Sequence, residues 1–562
     1  MLAIVAAVAL AALPPADVIY LDGPILTMAE GQPTAEALAV RNGRIAAVGK
    51  RSEVLKLQGP STRMVTLGKR TLVPAFVDPH SHFLAAVAIQ GWANVSLPPV
   101  GKVTSIPQLV AVLRRQAAIQ KARPGDWIVG WGYDSTGLAE QRDVNRRDLD
   151  AAFPENPVML LHVSGHGAVF DTRAMQAIGL GPDTVTPPGG IIVREPGSSQ
   201  PAGLVMETAF LAVEPKLPLF DMERILEALG PAQALYFSQG YTVATEGATP
   251  PKAIPGLREA ARRGLLTIDL MTLPLIESQA EVVGKPGFEF GTTVDRVRVV
   301  GLKAVVDGSP QGRTGYYTKP YLVPGPEGQS PWPGQPSATK EQLVSAARAA
   351  RAGGGQLFSH ANGDAAIDLA IAAQAEAGIT AKDDLRNVVV HSQFVRPDQL
   401  DAYARLGLVP SFFTNHTFYW GDDYPALLGE ERGQAISPTA SAAARGIRFT
   451  NHTDFLVTPL DAVFTLWSAA NRESKSGKVI GAPERIPVSH ALRALTADAA
   501  WQYRLERERG TLEAGKVADL VLLSRNPLTT DPKLLRDVKV VETVKEGRTV
   551  YRQKGAGSPP AR

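Results

Sequence analysis

From about residue 70 to 508, short apolar runs alternate with longer amphipathic stretches. A continuous apolar run of roughly four to eight residues, bounded by turn formers, predicts a buried strand; apolar positions three or four apart predict a helix. Eight runs stand out: 71–78 (TLVPAFVD), 241–246 (YTVATE), 266–273 (LTIDLMTL), 297–303 (VRVVGLK), 356–360 (QLFSH), 387–391 (NVVVH), 408–413 (LVPSFF) and 447–454 (IRFTNHTD). Between them lie stretches with helical spacing that close on glycine, such as 340–354 and 398–407. Repeated strand–helix units predict a parallel sheet, and eight of them predict an α/β chain built as a (β/α)8 TIM-like barrel over 71–508. The gap at 83–240 is too long for one crossover. It carries strand-like runs of its own at 127–134 and 157–165, and it reads as a large inserted cap.

The two chain ends differ from this middle. Residues 18–28 and 37–49 alternate apolar and polar positions, with a hairpin signal at Asn42-Gly43. Residues 515–523 and 540–551 look alike, with a turn at Glu546-Gly547. Neither end has enough strands for a stable sheet alone. The prediction is therefore one small composite β-sandwich from 17–70 and 509–555. Before it, the run LAIVAAVALAAL followed by Pro14, Pro15 and Ala16 is too short to span a bilayer as a helix. It predicts a signal peptide over 1–16 and a periplasmic or secreted protein, with a cytoplasmic one as the other outcome. No other segment reads as membrane-spanning.

Composition narrows the chemistry. The charge balance is 58 − 55 = +3 with no basic block, so nucleic acid is not an expected partner. There is no cysteine. That removes disulfides, thiol catalysis and zinc–thiolate sites, and leaves His, Asp, Glu or a modified Lys to hold any metal.

The ends of the strand-like runs carry such residues. His80 and His82 follow the first run, Lys303 ends the fourth, His360 the fifth, His391 the sixth and Asp454 the eighth. In a (β/α)8 barrel the C-terminal strand ends share one face, where active sites are built. Four of the nine histidines in the chain fall there. His80 and His82, two apart on a strand, point to one side and can share a divalent ion. His360 and His391 can hold a second, and Asp454 supplies an oxygen ligand and a base. Two ions need a bridge, and Lys303 can provide it if carbon dioxide converts it to a carbamate; an unmodified Lys303 must point elsewhere. His452 reads as packing or as support for a ligand. Glu207 and Glu246 read as structural, with Glu246 ending the second run within reach of the site.

The stretch FVDPHSH at 76–82, with Lys, His, His and Asp at later run ends, resembles the amidohydrolase superfamily of metal-dependent hydrolases. Its nearest likeness is to amidohydrolase family 3, the branch that includes N-substituted formamide deformylases. Further support lies in 187–209, in Lys303 to Ser309 (KxxxDGS), in His360 to Asp368 (HANGDAAID) and in the return to the end domain from Gly510. The resemblance implies His80, His82, Lys303, His360, His391 and Asp454 as metal ligands, with Asp454 also the acid/base. It implies a substrate-facing role for His166, although Ser164 stands where an Asp usually precedes that Gly-His pair. His416 falls near a Gln-Pro-x-His element whose Gln and Pro are absent here.

The function implied is hydrolysis of an amide-type carbon–nitrogen bond, other than a peptide bond, in an N-acyl or N-formyl amine. A metal-activated hydroxide attacks the carbonyl; two ions, zinc first among the candidates, are expected. Aromatic residues near run ends, Trp92 and Tyr316 among them, fit either an apolar or aryl substrate pocket or ordinary packing. The substrate-binding candidates are His166, His416, Trp92 and Tyr316. The expected partner is a small molecule, with no membrane contact after signal removal and a homodimer left open. An ester or lactone as substrate, or a barrel that binds without catalysis, are the alternatives.

Overall fold

In the computed structural model, residues 14–217 and 222–555 are described. Residues 1–13 of the signal peptide expected over 1–16 lie outside them. Pro14 to Ala16 lie inside: Ala16 is buried and its amide donates to the Leu57 carbonyl at 2.8 Å.

The parallel runs form two arcs. One holds Phe76–Val77, Tyr241–Glu246, Asp269–Thr272 and Val297–Val299; the other holds Gly301–Val305, Gln356–Ala361, Val388–His391, Val409–Phe412 and Thr450–Asn451. All these strands pair in parallel with their neighbours. The arcs meet where the fourth run breaks at Val300. The Val300 amide donates to Thr272, and Lys303 bridges Leu275. One buried cluster collects Val77, Val243, Met271, Val300, Phe358, Val390 and Val409, a residue from each of seven runs, over Ala499, Ala500 and Tyr503. Strand order, polarity and this shared inner cluster make a mixed α/β layer and are consistent with the expected (β/α)8 barrel. Helices pack outside it for sequence reasons. Lys340–Ala352 opens on a Thr339/Gln342 capping box, and Pro397–Leu406 starts on proline and stops at Gly407 with φ +69°.

The first predicted run is divided between two sheets. Thr71–Pro74 pairs with Leu520–Leu523, and only Phe76–Val77 joins the parallel arc. A continuous apolar run carries no local mark of which sheet will claim each half.

Both chain ends do enter one eight-stranded sheet, which runs from Arg548–Arg552 through Val540–Lys545, Leu520–Leu523 and Thr71–Pro74 to Val18–Ala29 and its hairpin partners. Alternate residues take opposite faces, as the period of two requires. Val18 and Tyr20 join one core with Leu38 and Val40, while Ile19 and Leu21 join another with Ala37 and Ala39. The turns at Asn42-Gly43 and Glu546-Gly547 have positive φ at both positions, the twist-matched hairpin geometry.

Between Phe76–Val77 and Tyr241–Glu246 the chain forms a separate six-stranded sheet from Ala93–Asn94 to Pro201–Glu207. The helices flanking it, Phe83–Ala88 and Met222–Ser238, pack into a buried cluster shared with the strands and helices of the parallel arcs. Among the described residues, no helix is long and apolar enough to cross a membrane.

Candidate metal centre

The strand ends bring the predicted residues together. Asp454 Oδ1 lies 3.3 Å from His80 Nε2 and 3.5 Å from His82 Nε2, and its Oδ2 lies 3.9 Å from His391 Nε2. Lys303 Nζ is 3.4 Å from His80 Nε2, and His391 Nε2 is 2.9 Å from His360 Nδ1. All are buried except His82, whose side chain is 32% exposed and opens the cluster toward solvent. One ligand atom each from His80, His391 and Asp454 lies within 4.8 Å of the others.

The backbone at these ends is unusual. His391, Ser392 and Asp454 all have positive φ (73°, 45° and 48°), a conformation that costs free energy in non-glycine residues and gathers at functional sites. His391 and Asp454 reach the common centre from these positions, while the Ser392 hydroxyl turns to the Val389 carbonyl and the Tyr403 hydroxyl.

Contacts behind the cluster fix its members. His391 Nδ1 meets His452 Nε2 at 3.0 Å, and His452 Nδ1 meets Ser411 Oγ at 2.9 Å. Such support orients an imidazole ligand. Glu246 lies behind His82, 3.8 Å from Nδ1, and is itself held by the Leu84 amide at 2.6 Å. Asp78 accepts from the amides of His80 and Thr245 and from the Ser81 hydroxyl, which locks the turn that carries His80 and His82. Asp307 accepts from the amides of Tyr316, Asn362 and Gly363, and so ties the loop after Lys303 to the loop after His360.

Electrostatics match a cation site. Burial opposes ionisation of Asp454, but His391, His80 and His82 hold it well below the usual carboxylate range. Burial holds His80, His360 and His391 well below the usual imidazole value, which leaves neutral rings with lone pairs. Burial brings Lys303 down to about 8. His82 runs the other way: burial lowers it, but Asp454 and Glu246 lift it to about 9. Asp454 Oδ1 is buried with no hydrogen-bond partner among the described residues. Several neutral imidazoles around an ionised carboxylate with an unmet oxygen suit a divalent ion.

The remaining predicted residues take different places. His166, from the inserted sheet, packs its ring on that of His360 at 4.6 Å. His416 is buried with Nδ1 against the Tyr424 hydroxyl, its ring 4.3 Å from Phe413, which in turn packs on His452. Trp92 packs half-buried against the hydrophobic cluster of the inserted sheet, which also takes Leu456, close to Asp454. Tyr316 packs against the barrel's outer cluster. Among the described residues no ring, hydrogen-bond or ion-pair contact joins Trp92 or Tyr316 to the imidazoles. Tyr424 and Asp78 were not singled out by sequence reasoning. Asp78 lies inside the FVDPHSH stretch, which could have marked it; Tyr424 has no local mark, since it acts through a partner placed by the fold.

Residues 63–551 match the family model described as "Amidohydrolase family". The chain belongs to the amidohydrolase family. Its placement in family 3, next to the formamide deformylases, agrees with a 25% identity to an N-substituted formamide deformylase of Arthrobacter pascens, over 96% of this chain and 99% of that one. Protein LONG AFTER FAR-RED 3 of Arabidopsis thaliana is 26% identical, covering 91% and 88%. Among solved structures, an uncharacterized metal-dependent hydrolase of Pyrococcus horikoshii superposes with a TM-score of 0.72 at 22% identity, covering 92% of this chain and 99% of that one. In this amidohydrolase, His80, His391 and Asp454 form the candidate metal group.

Proposed function

We propose that this amidohydrolase cleaves an amide-type carbon–nitrogen bond in an N-acyl or N-formyl amine with an apolar or aryl substituent. The observation that carries the reading is the convergence of His80, His82, His391 and Asp454 on one point, with Asp454 Oδ1 unsatisfied. The bond type is supported by the deformylase name of the Arthrobacter relative. In this reading His80, His82 and Asp454 hold one ion, and His360 and His391 hold a second. Zinc is the proposed metal. Lys303, if its neutral amine added to carbon dioxide and lost a proton, would supply a carbamate oxygen ligand to the same site. Divalent ions bound there supply Lewis acidity and make water acidic enough to react near neutral pH.

The protein's own residues do the rest. Asp454 accepts the proton of the attacking water and returns it to the leaving nitrogen. His166 faces the carbonyl, and His416, Trp92 and Tyr316 are assigned to the substrate side. The same reading takes the two arcs as one closed barrel, the inserted sheet as its cap and the end sheet as a β-sandwich. It takes 1–16 as a leader for export, which N-terminal sequencing of the secreted or periplasmic form checks; a start at Met1 would refute it.

The decisive experiment joins elemental analysis of the purified protein with a screen of N-acyl and N-formyl amines. About two equivalents of metal with release of amine is the expected result. Turnover of esters or lactones alone would replace the proposed bond, and metal-free protein with full activity would end the proposal.

A further inference from the structure

The ring of His166 has a partner that its own loop does not supply. The Ser164 hydroxyl lies 2.7 Å from His162 Nδ1 and accepts the His166 amide at 3.2 Å, so it is spent locally. His166 Nδ1 instead meets Glu207 Oε2 at 2.9 Å. The two face each other because Gly167–Phe170 pairs antiparallel with Pro201–Glu207, Gly167 opposite Met206, and the Glu207 amide donates to the His166 carbonyl at 2.7 Å.

Three further observations show that the protein accommodates this carboxylate at some cost. Glu207 is 3% exposed, a burial that an acid avoids unless it is engaged. Its φ is +57°, in the region that non-glycine residues seldom occupy. Room for it depends on Gly308: a Cβ there would lie 2.1 Å from Glu207 Oε1 and 2.2 Å from Thr314 Oγ1. The glycine of the Asp307-Gly308-Ser309 motif thus admits an acid from the inserted sheet. On its other face the His166 ring lies against His360, so the pair ends at the metal cluster.

An ionised carboxylate oxygen only accepts hydrogen bonds, so the hydrogen between the two atoms belongs to Nδ1. We propose that Glu207 is a positioning residue that holds His166 in the Nδ1–H tautomer, with Nε2 turned to the substrate. The proposal rests on the substrate-facing reading of His166 given above. Glu207 itself touches no reacting atom. It governs which ring nitrogen is available, as buried acids behind histidines do elsewhere.

The test uses full-length protein labelled with [15N]histidine, with His166 assigned by the signals lost in His166→Ala. The natural protein is expected to show Nδ1–H at His166. Glu207→Ala should move the hydrogen to Nε2. Gly308→Ala, which keeps both side chains but displaces the acid, should give the same change. Glu207→Gln should retain Nδ1–H, because an amide oxygen still accepts. On the amine substrate selected by the screen, Glu207→Ala should lower kcat by about 10- to 100-fold with little change in KM, and Glu207→Gln should recover most of it. An identical nitrogen pattern in the natural protein and Glu207→Ala would overturn the proposal. Unchanged kcat in His166→Ala would instead refute the substrate-facing reading, with the tautomer measurement still deciding the role of Glu207.

Discussion

Two buried aspartates, one opening a strand of the first parallel arc and one following the last strand of the second, meet opposite treatment. Asp269 starts a strand and receives three permanent cations: Lys545 at 2.6 Å, Arg509 at 2.5 Å and Arg296 at 3.0 Å. Asp454 follows the last strand and receives His80, His82 and His391 at 3.3 to 3.9 Å, with one oxygen unpartnered. Burial is nearly equal, 7% against 6% exposed, so desolvation does not separate them. The difference is in the partners. Fixed cations complete the first acid and clamp the parallel arc to Lys545 of the end sheet and to Arg509 ahead of it. Around the second acid His80 and His391 stay neutral and Oδ1 makes no hydrogen bond among the described residues, which is what a cation site requires.

The contrast can be broken from either side. The largest effect is expected at the incomplete acid. Asp454→Ala should lower turnover about 10⁴-fold while far-ultraviolet circular dichroism stays unchanged, since a general base and a ligand go together. Retained turnover would remove Asp454 from the chemistry. Asp269→Ala should do the reverse. It strands buried cations and should cost about 3–5 kcal/mol in denaturant unfolding, with turnover per folded molecule preserved.

Metal removal sharpens the same line. Dialysis against a chelator should lower the melting temperature of the natural protein and of Asp269→Ala. At a hundredfold excess of ion over its dissociation constant, the stabilisation lost is about 2.7 kcal/mol. Asp454→Ala should respond little, because its site is already lost; an equal drop in all three would place the bound ion elsewhere. The smallest effect is on acid stability. Burial works against ionised Asp269, yet Lys545, Arg509 and Arg296 hold its carboxyl below the ordinary value. A depressed folded value stabilises above the unfolded value of about 3.9, and this is lost as pH falls through the folded one. Unfolding midpoints compared between neutral and acid pH should therefore fall more in the natural protein than in Asp269→Asn.

Much of this was readable beforehand, for local reasons. Runs such as 241–246 and 388–391 are apolar, short and bounded, and the residue closing a parallel strand has only one rim to reach. That is why His360, His391 and Asp454 could be placed near one another from spacing alone. Hairpins at Asn42-Gly43 and Glu546-Gly547 were legible because their turn conformation asks for those residues. What escaped depends on pairing between distant segments. Ala75 gives no sign that the run around it changes sheets, and Glu207 looks like any acid ending a strand until its neighbour across the ladder proves to be His166. His452 was read as packing or support, and the structure has it between Ser411 and His391.

One feature of the end sheet bears on the life of the molecule before it works. Leu520–Leu523 lies between Thr71–Pro74 and Val540–Lys545. During synthesis the early strand therefore waits as an open border until Leu520–Leu523 leaves the ribosome. A chain cut short anywhere ahead of that point keeps a bare row of amides and carbonyls, the kind of edge that recruits other strands. The late strand thus acts as a seal: only a polypeptide that reaches Leu523 hides that border.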